Sequence, residues 1–413
     1  MEQQENSRAN FAWNMIGSIF ESLLSFALLI LVNRTVGEAA GGVFTLAFSH
    51  AQLMYYLGTL EVRPIHSTDV REKYRFADYF SLRMVSCAAM ITISLVYVLL
   101  MDGDPMKKRI MMILCAYKML DAVYDLFASM FQQRGRIAYS GQVSTVRIGL
   151  VLLSFAAVLI TTRNLEAAAL TMVAVSLLVL LTYNMAKWRR FEGVQIQLRF
   201  TASGEILKAC LPLFVSVFVM LYISNAPKYA IDAYCTDVIQ NRYSILFMPA
   251  FVINLFSQFV LRPMLTPMAR LWTEGSVAAF RRNVGRMMAG IGAITLLGVG
   301  GAWLLGLPVL NLLYGVDLAA DRPVLLWVML YGGLNAVNIF LYDMIAVTRN
   351  QKKLAAAYLL AAGAVFILAP RMVQRWEMTG AVGASILSLG LLDLLLLGIM
   401  VSVLRRAERG TKA

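Results

Sequence analysis

Charged residues are scarce in this sequence. Only 15% of its 413 residues are Asp, Glu, Lys or Arg, where an average soluble domain carries about 25%. The apolar residues that replace them, 59% of the chain, exceed what one water-facing globule can bury, so the solvent must be lipid. Histidine and cysteine are scarcer still. Two histidines and four cysteines (Cys87, Cys115, Cys210 and Cys235), none at CxxC spacing, leave no basis for a zinc site and read as packing residues. No metal or cofactor is expected. No phosphate-cradling loop ending in Gly-Lys-Ser/Thr occurs, which argues against direct ATP use; the glycine-rich stretch 290–306 lacks that ending and reads as close helix packing. No polar low-complexity tract marks a disordered arm. The first ten residues are polar, carry Glu2 and Glu5, and lack the basic start of a cleaved signal peptide.

What is present is a series of apolar runs. A membrane-crossing helix needs about 20 largely apolar residues, and that rule places spans near 11–33, 41–61, 79–101, 109–131, 140–162 and 166–186. After a basic segment, further spans fall near 206–232, 243–261, 285–306, 322–346, 353–370 and 380–403. The expected fold is an all-α polytopic membrane protein of about twelve transmembrane helices. The division is a six-helix lobe over 1–186, a basic linker over 187–205, and a second six-helix lobe over 206–413. Two six-helix halves are a recurring transporter plan, with the substrate site at their interface.

The net charge of +13 would suggest nucleic acid in a soluble protein. In a polytopic one, Lys and Arg collect in cytoplasmic connections. With both termini and the even-numbered connections on one side, that side holds more than twice the basic residues of the other. No nucleic-acid partner is expected, and both termini are placed in the cytoplasm. Lys107-Lys108-Arg109 is the one cluster on the wrong side, partly offset by Asp102 and Asp104.

Ionisable groups at membrane depth are costly and therefore functional candidates. Span one carries Asn14, Ser18, Glu21 and Ser25 on one helical stripe, which lines either a cavity or an interhelical hydrogen-bond seam. Span four carries Lys118, Asp121 and Asp125 on one face, and span seven carries Asn225, Lys228 and Asp232 at the same spacing. Lys118 with Asp121 and Lys228 with Asp232 could neutralise one another within their own helices. Arg147 in span five is either a substrate contact or a side chain snorkelling to the interface. Asp343 and Asp393 complete the acids. His50, near Ser49 and Gln52, reads more readily as a hydrogen-bonded core residue than as a proton relay.

Several stretches resemble the Wzx-like polysaccharide flippases of the multidrug/oligosaccharidyl-lipid/polysaccharide exporter (MOP) superfamily. One is Asn33-Arg34-Thr35-Val36-Gly37-Glu38 with Gly41-Gly42 and Phe44. A second is Gln132-Gln133-Arg134-Gly135-Arg136 with Ser140-Gly141 and Arg147. A third runs from Leu211-Pro212-Leu213 through Asn225-Ala226-Pro227-Lys228-Tyr229 and Ile231-Asp232 to Tyr243, Phe247-Met248-Pro249, Arg262-Pro263 and Pro267. The last is Val309-Leu310-Asn311-Leu312-Leu313-Tyr314-Gly315. Each is a soft pattern; their order along the chain and their fit to the span count carry the likeness.

The resemblance implies a V-shaped pair of bundles working by alternating access. It implies a flippase that moves an undecaprenyl-diphosphate-linked oligosaccharide across the cytoplasmic membrane for cell-surface polysaccharide synthesis. The partners would be that lipid-linked glycan, the bilayer and glycan-assembly machinery. The buried acids outnumber Lys118, Arg147 and Lys228, a departure that keeps open a proton- or Na⁺-coupled drug/cation antiporter of the same superfamily. A membrane-embedded glycan polymerase is disfavoured by the short outer connections; a non-transporting scaffold stays open.

Overall fold

With no water at membrane depth, every backbone N–H and C=O must be satisfied within the chain, and helices do this segment by segment. The computed structural model describes residues 2–410 apart from 70–71, 102–103, 192–193, 262–263 and 349–350. Arg71, Asp102, Arg262, Pro263, Arg349 and Lys412 of the sequence reading lie outside the described residues.

The first six windows become α1 (Glu2–Thr35), α2 (Glu38–Thr59), α4 (Phe76–Leu100), α5 (Pro105–Gln133), α6 (Ile137–Thr162) and α7 (Leu165–Val179). A short α3 (Arg63–Thr68) follows α2, and α7 continues through a π turn, Leu180–Asn184, into α8 (Met185–Trp188). The later windows become α9 (Ser203–Tyr234), α10 (Asp237–Leu261) with a short α11 (Leu265–Thr273), α12 (Val277–Gly301), α14 (Arg322–Val347) and α15 (Gln351–Gly410). A second π turn, Ala302–Gly306, joins α12 to α13 (Leu307–Tyr314). Within α15 the backbone leaves helical geometry at Trp376 (φ −133°, ψ 16°) and Glu377 (φ 45°, ψ −126°), so this element is two helices across a kink. Both windows proposed for the end of the chain are therefore filled. The protein is an all-helical, multi-pass membrane protein: among the described residues eight stretches are long and apolar enough to cross a bilayer, and the last of them, Lys353–Glu408, spans the kink and holds two helices.

Local chemistry sets the breaks. Asp104 caps α5 by accepting from the N–H of Met106 at 3.2 Å, with Pro105 in the first turn. Asn164 caps α7 through the N–H of Ala167 at 3.0 Å. Gly315 ends α13 at φ 69°, a left-handed conformation that glycine adopts at no steric cost.

Contacts divide the chain into two compact units, Met1–Phe218 and Val219–Ala413. In the first, α1 lies along α6, α2 and α4 pack on α5, and α7 covers α5 and α6. The α1–α6 crossing is close because Gly17 faces Gly141. A Cβ on Gly141 would sit 2.1 Å from the Trp13 carbonyl oxygen, so that position admits no side chain. The unit boundary falls inside α9. Its opening turns belong to the first unit because Ile206 and Cys210 are buried with Leu60, Val62, Tyr79, Leu82 and Leu126. In the second unit α14 is the central helix, packed by α10, α12 and α15. The Lys107-Lys108-Arg109 cluster has a partner: Arg109 Nε donates to both Glu166 carboxylate oxygens, at 2.9 and 3.0 Å.

Candidate functional site

Four cations of the first unit gather on two carboxylates, both supplied by α5. One turn separates Asp121 from Asp125, yet each serves a different set of cations. Asp121 is paired with Lys118 of its own helix at 3.0 Å and with Arg147 of α6. All three side chains are nearly enclosed, and Arg147 points inward to Asp121 rather than outward to the interface. Aromatic rings wrap these cations. The Lys118 ammonium lies 4.9 Å from the Phe48 ring and 5.6–5.7 Å from Tyr117 and Tyr55. The Arg147 guanidinium lies 4.5 Å from the Tyr124 ring and 5.8 Å from Tyr117. Cation–π attraction strengthens as water is removed, so the rings hold both cations where a carboxylate or another anion can reach them.

Asp125 is the centre of a second cluster. Its Oδ2 accepts from Arg83 of α4 at 3.0 Å and its Oδ1 from Arg63 of α3 at 3.2 Å. Arg83 is fully buried and also donates to the Gly58 carbonyl at 3.1 Å, which takes a further hydrogen bond from Ser86 at 2.5 Å. Arg83 is the residue that sequence reading passed over. It lay within a predicted span, and the rule that flagged Lys118 applied equally to it; its neighbours gave no helical pairing pattern to draw attention.

Glu21, on α1, accepts from Ser144 of α6 at 2.5 Å. Tyr55 lies 5.7 Å from the Lys118 ammonium and within electrostatic reach of Glu21, Asp121, Asp125 and Arg83. Asn14 sits two turns before Glu21 on α1, partly buried beside the Gly141 crossing. His50 belongs to none of this. It is buried with its ring stacked on Tyr97 at 4.5 Å, the core arrangement.

Asn225, Lys228 and Asp232 lie on the part of α9 that belongs to the second unit, each partly buried, with Asn225 donating to the Leu221 carbonyl at 3.0 Å. The second unit has a polar cluster of its own. Asp393 is buried, one oxygen accepting from Asn338 at 3.2 Å, and Asn338 in turn accepts from Tyr358 at 2.8 Å. The other Asp393 oxygen has no hydrogen-bond partner among the described residues.

Outside the long helices, α3 holds His66, whose ring is fully buried and stacked on Tyr79 at 4.0 Å. Burial pushes its pKa down to about 3, the Arg83 charge acts in the same direction, and Asp69 opposes them. Between pH 6.5 and about 3 the unfolded chain therefore binds a proton that the folded one refuses. This stability is complete above 6.5 and is lost as pH falls. The expected cost at pH 4 is about 3 kcal/mol. Thermal unfolding in detergent should show it as a falling midpoint between pH 7 and 4, with a shallower slope in His66→Phe, which keeps the stacked ring. Equal slopes in the two proteins would remove His66 from the explanation.

The sequence matches no known protein-family model and no curated protein. Solved structures do match. The lipid II flippase MurJ in an inward closed conformation superposes with TM-score 0.70 at 12% identity, over 97% of this chain and 89% of that one. An inward-facing multidrug resistance MATE family transporter of the MOP superfamily gives 0.69 at 14% identity, over 93% and 95%. A MOP superfamily transporter from Pyrococcus furiosus, described as having a binding pocket of reversed polarity, gives 0.56 at 15% identity, over 98% and 95%. The chain has the MOP transporter fold. At these identities the likeness is one of fold, and it spans drug transporters and a lipid flippase alike. The neighbours are transporters rather than enzymes.

Proposed function

We propose that this protein is a membrane transporter that flips a lipid-linked oligosaccharide, carried on an undecaprenyl-diphosphate-type anchor, across the cytoplasmic membrane without hydrolysing ATP. The supporting observation is the charge balance around Tyr55. Lys118 and Arg147 share Asp121, and Arg63 and Arg83 share Asp125. With Glu21 and Glu61 counted, four cations face four acids, so the acid excess read from sequence is balanced in the first unit once Arg63 and Arg83 are included. A diphosphate arriving beside Lys118 and Arg147 competes with Asp121 for two donors it already shares, and bonds between ionised groups are strong in an enclosed site. Asn14 and Glu21 belong to the same lining in this reading. Asn225, Lys228 and Asp232 remain candidates within the second unit, Asp125 is mainly structural, and His50 drops out. Both termini face the cytoplasm, following the excess of Lys and Arg on their side.

One observation favours a second reading, a proton- or cation-coupled drug antiporter: Asp393 is buried with an oxygen left over, and buried ionisable groups in spans commonly serve proton or ion transfer. Reconstitution separates the two. Purified protein in nucleotide-free liposomes should carry a fluorescent diphosphate-linked oligosaccharide lipid from the inner to the outer leaflet, with no ATPase activity when ATP is supplied. Failure to move that lipid, together with efflux of a cationic dye under an imposed proton or Na⁺ gradient, would establish the antiporter instead.

A further inference from the structure

The stretch Gln132–Arg136 stands out in the sequence, yet the charged clusters use only Gln132, which accepts a long 3.4 Å hydrogen bond from Arg63. The rest of the stretch sits at the end of α5, where the first unit opens a cavity of about 320 Å³. Gln133 and Arg134 form one wall. Glu72 and Arg75, from the connection between α3 and α4, form a second, and Gln195 and Gln197, from the segment leading to α9, form a third. The volume lies at the lower end of the range for small-molecule sites.

The walls are held in place from outside the cavity. Gln133 donates to the Asp69 carbonyl at 2.7 Å, and the Asp69 carboxylate accepts from the Lys73 and Tyr74 N–H groups at 2.9 and 3.0 Å and from the Tyr79 hydroxyl at 3.2 Å. The third wall is anchored just beyond Gln197. The Arg199 N–H donates to Ser81 Oγ at 2.5 Å, and the Ala202 N–H donates to Asp78 at 3.3 Å.

The chemistry of the lining has a sign. Glu72 is the lining acid, and it is committed to Arg134 at 2.9 Å. No carboxylate bonds the Arg75 guanidinium among the described residues, and the side-chain amides of Gln195 and Gln197 likewise carry no protein hydrogen bond there. The cavity therefore presents one guanidinium with no carboxylate partner among the described residues, beside two amides whose N–H groups can also donate. Its complement is an anion rich in acceptor oxygens. We infer that this cavity binds a phosphate-bearing polar molecule at the water-facing end of the first unit, gripped by Arg75 with Gln195 and Gln197. Such a ligand would tie the α3–α4 connection to the segment entering α9. None of these residues belongs to the Lys118–Asp121–Arg147 cluster, so this site stands or falls independently of the transported cargo.

Phosphate oxygens could come from a soluble compound or from the headgroup of an anionic phospholipid. The full-length protein in phosphatidylcholine nanodiscs is titrated with inorganic pyrophosphate, and binding is followed calorimetrically and by the unfolding temperature. Wild type should bind, and Arg75→Gln should weaken binding at least tenfold, a loss in line with removing one charge-assisted contact. Arg75 is exposed, so its replacement should leave the ligand-free unfolding temperature unchanged. The double variant Gln195→Ala/Gln197→Ala provides a second reading of the same site and should also bind more weakly. Repeating the titration with phosphatidylglycerol in the disc assigns the source: competition identifies a lipid headgroup as a natural occupant, and undisturbed binding identifies a soluble one. Absence of pyrophosphate binding to wild type, or equal binding to wild type and both variants, overturns the proposal.

Discussion

Arg147→Ala and Lys118→Ala should each cut transport by roughly ten- to a hundredfold, while the protein reaches the membrane in normal amount. The two halves of that expectation rest on the same geometry. Asp121 holds both cations, so deleting one leaves a neutral pair and no unpaired buried charge. Fold stability is thereby protected, and the lost function reports the missing contact to cargo. A hydrogen bond to a charged group is worth about 1.5–3 kcal/mol, and each 1.36 kcal/mol is tenfold in rate. Arg147→Met, which keeps an apolar stem against Tyr124, should be as inactive as the alanine variant. Lys118→Arg, which keeps the charge, should retain part of the activity. Asp121→Asn should behave in the opposite way. It leaves two buried cations without a counter-ion, a defect that typically costs about 3–5 kcal/mol, and the protein itself should be lost. Flipping in liposomes and immunoblots of membranes measure both quantities. Full activity in both alanine variants at normal abundance would dismiss the diphosphate site.

Arg83→Met is expected to be the most damaging change outside that cluster, and its damage should be to folding. The Arg83 side chain is 1% exposed, bonds Asp125 and also donates to the Gly58 carbonyl. Without it Asp125, 8% exposed, keeps only Arg63, whose side chain is 40% exposed and also bonded to Gln132. Removing one partner of a buried pair costs about 3–5 kcal/mol because the other is left charged and desolvated. Asp125→Asn in the same chain removes that stranded charge, so the double variant should recover most of the loss, and the cycle of four proteins measures the coupling directly. Size-exclusion profiles and unfolding temperatures in detergent suffice. An Arg83→Met protein as stable as wild type would mean that the cluster does not hold α3 and α4 to α5.

The difference between these two predictions could not have been drawn from spacing. On α5, Lys118, Asp121 and Asp125 fall on one face, and the helix period gives that face without ambiguity. It also identifies the pair Lys118–Asp121, because three residues apart on a helix are neighbours. What it cannot supply is the identity of the side chains on α3, α4 and α6 that meet this face. Arg147 lies 26 positions from Asp121, and Arg83 lies 42 positions from Asp125; no periodicity relates residues across such distances. Arg147, read as a possible snorkeller, turns inward because an acid on a neighbouring helix is closer to satisfying it than the interface is.

The sequence by itself determined that this is a helical membrane protein and where its long helices lie. Lipid imposes two requirements that are visible residue by residue: an apolar run long enough to cross, and a backbone that satisfies its own hydrogen bonds. The kink at Trp376–Glu377 illustrates this, since two apolar windows foretold two helices where the backbone is nearly continuous. Only the tertiary structure decided which cation neutralises which acid, that Arg83 is central, and that the opening of α9 packs with the first unit. Those outcomes depend on which side chains distant parts of the chain bring within about 4 Å of one another, the range over which a buried charge finds its counter-ion.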